Sequence, residues 1–206
     1  MNRIGRLDPL DRGDVESGLA QLGEMLDFCA LHVQHENEFV HTAIEARQPA
    51  GSRRVAGEHD EHLDTIAALR LEAAALRTAH AGDAPELALR LYRHLALVVA
   101  ENLQHMHIEE TVHNNILWSC YSDAELLDVH RRLLASLSPQ ASLEALRRML
   151  PACDPAERAA IIGGAKTQMP PEALLAVLAM VRPNLDAAGW TKLADAAGVH
   201  TAFGAA

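Results

Sequence analysis

The sequence predicts an all-α protein: a four-helix up-down bundle over residues 14–137, followed by an extension of short helices over 138–206. Three observations predict it. Apolar residues recur at helical spacing in four long stretches. Hydrophobic residues make up 49% of the chain but aromatic ones only 3%, and Ala and Leu dominate, which suits packed helices and leaves little material for strands. Pro and Gly gather at the joints between the stretches.

The first helix is expected from Asp14 to Arg47, with Leu22, Met25, Leu26, Cys29, Val33, Phe39, Val40 and Ala43 as its apolar stripe. At about 100° per residue, His32 and Glu36 fall inside that stripe, and His35, Glu38 and His41 fall toward the opposite side. Pro49, Gly51 and Ser52 break the pattern. The second helix is expected from Glu58 to Ala79, over Ile66, Leu69, Ala73 and Leu76. His59 and His62, three apart, carry its stripe one turn further toward the N-terminus, where inward imidazoles need acceptors or a metal. Asp83 reads as the next cap, with Pro85 in the first turn.

The third helix is expected from Pro85 to Tyr121, over Leu87, Leu91, Val98, Val112 and Ile116. His105 and Glu109 fall in the middle of that stripe, and His94 and Glu101 read as polar neighbours. The fourth runs from Ser122 to Leu137 over Leu126, Val129, Leu133 and Leu137. His130 lies on its stripe, either as an additional ligand from the fourth wall or as a core histidine bonded to the backbone. Beyond Pro139, short amphipathic helices over 141–149, 154–165, 170–181 and 184–197 read as core completion, or as the contact surface of a homodimer.

Composition bounds the function. A net charge of −10 argues against nucleic acid or an anionic membrane as the main partner. Three cysteines without a CxxC give neither a disulfide framework nor a thiolate zinc site, and point to a reducing compartment, the cytoplasm. The first residues are too charged for a secretory signal, and the longest apolar run, Ala173 to Val181, is too short to span a bilayer. Histidine is the outlier: ten of the twelve lie between His32 and His113, so the chemistry is concentrated in one part of the chain.

The spacing His-x-x-x-Glu occurs twice on apolar stripes, as His32/Glu36 and His105/Glu109. A His and a carboxylate four apart on a buried face are costly to desolvate unless they pair or share a metal. In an antiparallel bundle the inward side chains of facing helices converge, so His32, Glu36, His59, His62, His105 and Glu109 form one candidate ligand set. Four imidazoles and two carboxylates suit iron or manganese, with zinc as an alternative. A competing pattern, Glu38-x-x-His41 and Glu110-x-x-His113, matches the Glu-x-x-His of ferritin-like di-iron bundles. Facing argues against it, because Glu38 points away from the stripe and Glu110 partly so.

The His32/Glu36 helix, the helix start Glu58-His59-Asp60-Glu61-His62-Leu63 and the His105/Glu109-Glu110 helix together resemble the hemerythrin-like, or HHE cation-binding, family over residues 15 to 137. The resemblance implies a four-helix bundle around a non-haem, usually di-iron, centre. It implies that His32, Glu36, His105 and Glu109 are ligands, joined by His59 or His62. The family pattern has a His-bearing helix before the first His-x-x-x-Glu helix, and here no histidine precedes His32. Either the His130 helix takes that place in a permuted order, or the site has fewer imidazoles. The expected function is binding of, or response to, oxygen, nitric oxide or peroxide, with a peroxide- or NO-linked oxidoreductase activity as one form of it. The alternative is a regulatory or interaction module whose bundle a metal merely stabilises. A metal-free scaffold is the third reading.

Overall fold

The computed structural model describes residues 1–199, and among these the chain is helical without a strand. The chain divides into two compact units, Met1–Leu133 and Leu134–Ala206. The first unit holds three long antiparallel rods. The first rod is α2 (Arg12–His35), a π-helical turn (Glu36–His41) and α3 (Thr42–Arg47) in unbroken succession. The second is α4 (Arg53–Thr78). The third is α5 (Ala84–Ile108), a second π-helical turn (Glu109–His113) and α6 (Asn114–Cys120). A short α1 (Asn2–Gly5) lies against the first and third rods.

Local chemistry sets the ends of these rods. The Asp11 carboxylate caps α2 by accepting from the Gly13 and Asp14 backbone N–H groups. Between the first two rods, Ala50 takes a left-handed φ of 67°. Glu45 holds that turn, accepting from Ala50 N at 2.7 Å and from Ser52 N and Oγ at 3.0 and 2.7 Å. Asp83 stands at the N-cap of α5 with Pro85 in the first turn, but its side chain makes no capping bond. At Gly18 the first rod passes so close to Leu7 that a Cβ would stand 2.8 Å from Leu7 Cδ1, so only glycine fits without a shift.

Leu19, Leu22 and Leu26 of α2 pack with Ile66, Leu69 and Leu76 of α4 and Leu91 and Leu95 of α5 into one apolar core. Because the rods alternate in direction, the far end of the first, the start of the second and the far end of the third lie level. There the buried residues change from leucine to His41, His59, His105, Glu109 and His113. The polar site is thus the continuation of the core.

The expected fourth helix is present as α7 (Asp123–Ser136), but none of its residues is buried. Its start is tied to the first rod. Arg47 pairs with Glu125, donates to the Cys120 carbonyl and lies 3.8 Å over the Tyr121 ring, while Tyr121 Oη donates to the Ala43 carbonyl at 2.7 Å.

The second unit contains α8 (Pro139–Ala152), α9 (Pro155–Gln168), α10 (Pro171–Val181) and α11 (Ala187–Ala197). Ser138, Asp154 and Asp186 cap three of these, Asp154 in a capping box with Glu157. Leu150, Ile162, Val177, Leu178, Trp190 and Leu193 form the core of this unit. Among the described residues no helix is long and apolar enough to cross a membrane.

Candidate metal centre

Glu36 from the first rod, His59 from the second, and His105 and Glu109 from the third each bring one donor atom into a single group, with all four atoms within 4.8 Å of one another. His59 Nε2 lies 3.1 Å from His105 Nε2, 3.3 Å from Glu109 Oε1 and 3.4 Å from Glu36 Oε2. His105 Nε2 lies 3.0 Å from Glu109 Oε1. Two atoms each bound about 2.1 Å from one metal stand about 3.0–3.4 Å apart at octahedral or tetrahedral angles, so these four separations are compatible with a shared ion as well as with hydrogen bonds.

The outer nitrogens fix where the protons are. His59 Nδ1 donates to Asn37 Oδ1 at 2.7 Å, and His105 Nδ1 donates to Glu58 Oε2 at 2.9 Å. Burial works to raise the Glu58 carboxyl, but His105 and Arg54 hold it below its usual value, so it is an acceptor at neutral pH. With both Nδ1 atoms protonated, each neutral imidazole presents a bare Nε2 lone pair to the other and to two carboxylate oxygens. Four lone-pair atoms facing one another in a buried space need a positive charge between them.

Without a metal that charge is a proton. Burial works to depress His59, which is 0% exposed, but the Glu109 and Glu36 carboxylates hold it up at about 9. Burial likewise pushes Glu109 up, and its bonds with His59 and Glu36 and the charges of His105 and His32 bring it down to about 2. A divalent cation in place of the proton could be shared by all four atoms. Two imidazoles and two carboxylates are a borderline-to-hard donor set with no thiolate in it.

The group extends past these four. His41 stacks on His59 with ring centroids 4.8 Å apart, and His113 meets His41 edge-on at 5.2 Å. Burial, then repulsion from His59 and His113, pushes His41 down to about 4. His113 is also lowered, first by burial. His41 Nε2 and the outer oxygen of Glu109, Oε2, are buried and have no hydrogen-bond partner.

The other expected ligands lie around this group or away from it. His32 stands at the rim, its side chain 41% exposed, with Nε2 3.4 Å from Glu36 Oε2. His62 is half-buried and meets His105 edge-on at 4.4 Å, outside the four-donor group. His130 is exposed on α7 and is not part of that group. His94 pairs with Glu72 at 3.2 Å, a polar neighbour far down the bundle.

The structure corrects the expected facing of His41. An α-helical count places it on the outer side of the first helix, yet it is buried, as is its counterpart His113. Each closes a π-helical turn, and the extra residue in such a turn rotates the residues beyond it relative to an α-helical count. Inside the second turn Val112 is 49% exposed, although the count puts it on the buried stripe. Met25, likewise on a counted stripe, is 44% exposed. Side chains fill carbonyls around the wide turns: Thr42 Oγ1 donates to Asn37 O at 3.3 Å, and Asn114 Nδ2 to Glu110 O at 3.2 Å. The sequence signal for the two histidines is the repeated Glu-x-x-His. Its glutamates, Glu38 and Glu110, are exposed as facing requires, but its histidines point inward.

In comparisons with known proteins, no family model, no curated protein and no solved structure matches this chain.

Proposed function

We propose that this chain is a hemerythrin-like non-haem iron protein that binds or responds to a small oxidant or diatomic, such as oxygen, nitric oxide or peroxide. The observation that carries the reading is the convergence of four buried donor atoms from three rods, with both imidazole Nδ1 atoms turned away to acceptors. Glu36, His59, His105 and Glu109 would hold one iron. His41 and His113, with the unpartnered Glu109 Oε2, would hold a second, which would make the centre dinuclear. Manganese or zinc suits the same donors less selectively. When bound, iron supplies an open coordination position and electrons for a diatomic or peroxide. The chain's residues contribute a buried setting, two carboxylates that lower the net charge, and imidazoles held in one tautomer.

A second reading, a metal-stabilised regulatory or interaction module, draws on burial. His59, His105 and Glu109 are nearly closed off from solvent, and with Glu36 of the first rod a metal held there would clasp the three rods together. The two readings separate in one experiment. The protein is reconstituted anaerobically with ferrous iron, then exposed to nitric oxide and to oxygen while its absorption and electron paramagnetic resonance spectra are recorded. The hemerythrin-like reading expects new bands with either gas. A protein that binds iron with no spectral response to either supports the clasp and overturns the first reading.

A further inference from the structure

We propose that Asn37 and Glu58 are positioning residues for the candidate metal centre, and that by holding His59 with an amide and His105 with a carboxylate they make the two imidazoles unequal donors. This rests on the metal reading above. The two bonds form a chain through the bundle. Asn37 follows Glu36 on the first rod and holds His59 of the second. Glu58 precedes His59 on the second rod and holds His105 of the third. The first and second rods thus each supply the orienting group for the next, one residue away from their own donor.

Asn37 is an exposed residue on the π-helical turn, so its bond to His59 Nδ1 and the backbone path it shares with Glu36 are what it contributes to the interior. Glu58 also accepts from Arg54 Nε at 2.9 Å, which fixes the carboxylate rotamer. An acceptor on the outer nitrogen fixes the tautomer and raises the basicity of the inner one, and a carboxylate raises it more than a neutral amide. His105 is therefore the stronger donor and His59 the weaker. Loss of the Asn37 acceptor frees His59 to carry its proton on Nε2, where the metal must displace it.

The test uses the full chain and cobalt(II) as the probe, with affinity measured by chelator competition and geometry by the visible absorption bands. Asn37→Ala and Glu58→Ala are each expected to weaken cobalt binding about ten- to a hundredfold and shift the bands. Asn37→Asp and Glu58→Gln, which keep the acceptor, are expected to restore most of the affinity. In the iron-loaded protein, Asn37→Asp is expected to lower the reduction potential and Glu58→Gln to raise it, because added or removed charge changes donor strength in opposite senses. Wild-type affinity and unchanged bands in both alanine variants would overturn the proposal. So would potentials that move together in the two conservative variants. If the unaltered chain binds neither cobalt nor iron, the metal reading itself fails, an outcome distinct from the other two. Should an alanine variant fail to fold, the conservative pair alone still decides, through the sign of the two potentials.

Discussion

His59 of α4 and His105 of α5 face each other through Nε2 atoms 3.1 Å apart, and each turns its Nδ1 away to an acceptor on another rod. Two neutral imidazoles bonded in this way repel across the gap, and two carboxylates complete the enclosure. A proton can satisfy only part of such a group. A metal ion could satisfy all of it, and that difference is measurable in variants of single donors.

His59→Ala removes a donor that is 0% exposed and is expected to abolish tight metal binding. His107→Ala and His130→Ala alter exposed side chains and are expected to leave it intact. Metal per chain after desalting checks all three, and loss of metal in the exposed pair would contradict the assignment.

His41→Ala and His113→Ala are expected to reduce metal content from two per chain to one without emptying the four-donor group. His41 stacks on His59 and His113 meets His41 edge-on, but both lie outside that group. Stoichiometry from metal titration is the readout, and two ions retained in either variant would contradict a role for these rings.

The metal-free protein is expected to be most stable near pH 6.5. His59, held up at about 9, contributes stability that is complete below its unfolded value of about 6.5 and is lost as pH rises through 9. His41, pushed down to about 4, destabilises the fold increasingly as pH falls from about 6.5 toward 4. Glu109, held at about 2, stabilises above about 4.5 and loses this as pH falls through 2. Saturating metal takes the place of the His59 proton and moves the maximum to higher pH. Denaturant titrations of chelator-treated protein from pH 4 to 10 measure this, and a curve that rises or falls steadily would contradict it.

Leu69→Ala, in the apolar half of the bundle, is expected to cost about 2–5 kcal/mol of stability. Leu69 is fully buried among Leu22, Leu26 and Leu91. The metal stoichiometry is expected to stay unchanged, because the site lies at the other end. Chemical denaturation paired with metal analysis separates the two effects.

The helical character and the level of the site were legible in the sequence. The stripes through Leu22, Leu26, Ile66, Leu69, Leu76 and Leu91 are the core, and the inward positions of Glu36, His59, His105 and Glu109 agree with the same count. His41 and His113 were not legible by that count. A fixed 100° step cannot anticipate a π-helical turn, and inside the second one the phase of Val112 fails as well. Asn37 and Glu58 were hidden for another reason: each acts on a histidine of a different rod, a relation that exists only once the rods are packed. His130 lies on an amphipathic pattern, but amphipathicity alone did not bury α7.

The measurement that tests the central claim most directly is metal content per chain, by mass spectrometry, after anaerobic reconstitution of untagged protein with ferrous iron. The account predicts two irons per chain, lost together in His59→Ala or Glu109→Ala. One iron would keep the four-donor site and remove the second position beside His41 and His113. No bound transition metal would contradict the account and leave the four facing donor atoms to be satisfied by protons alone.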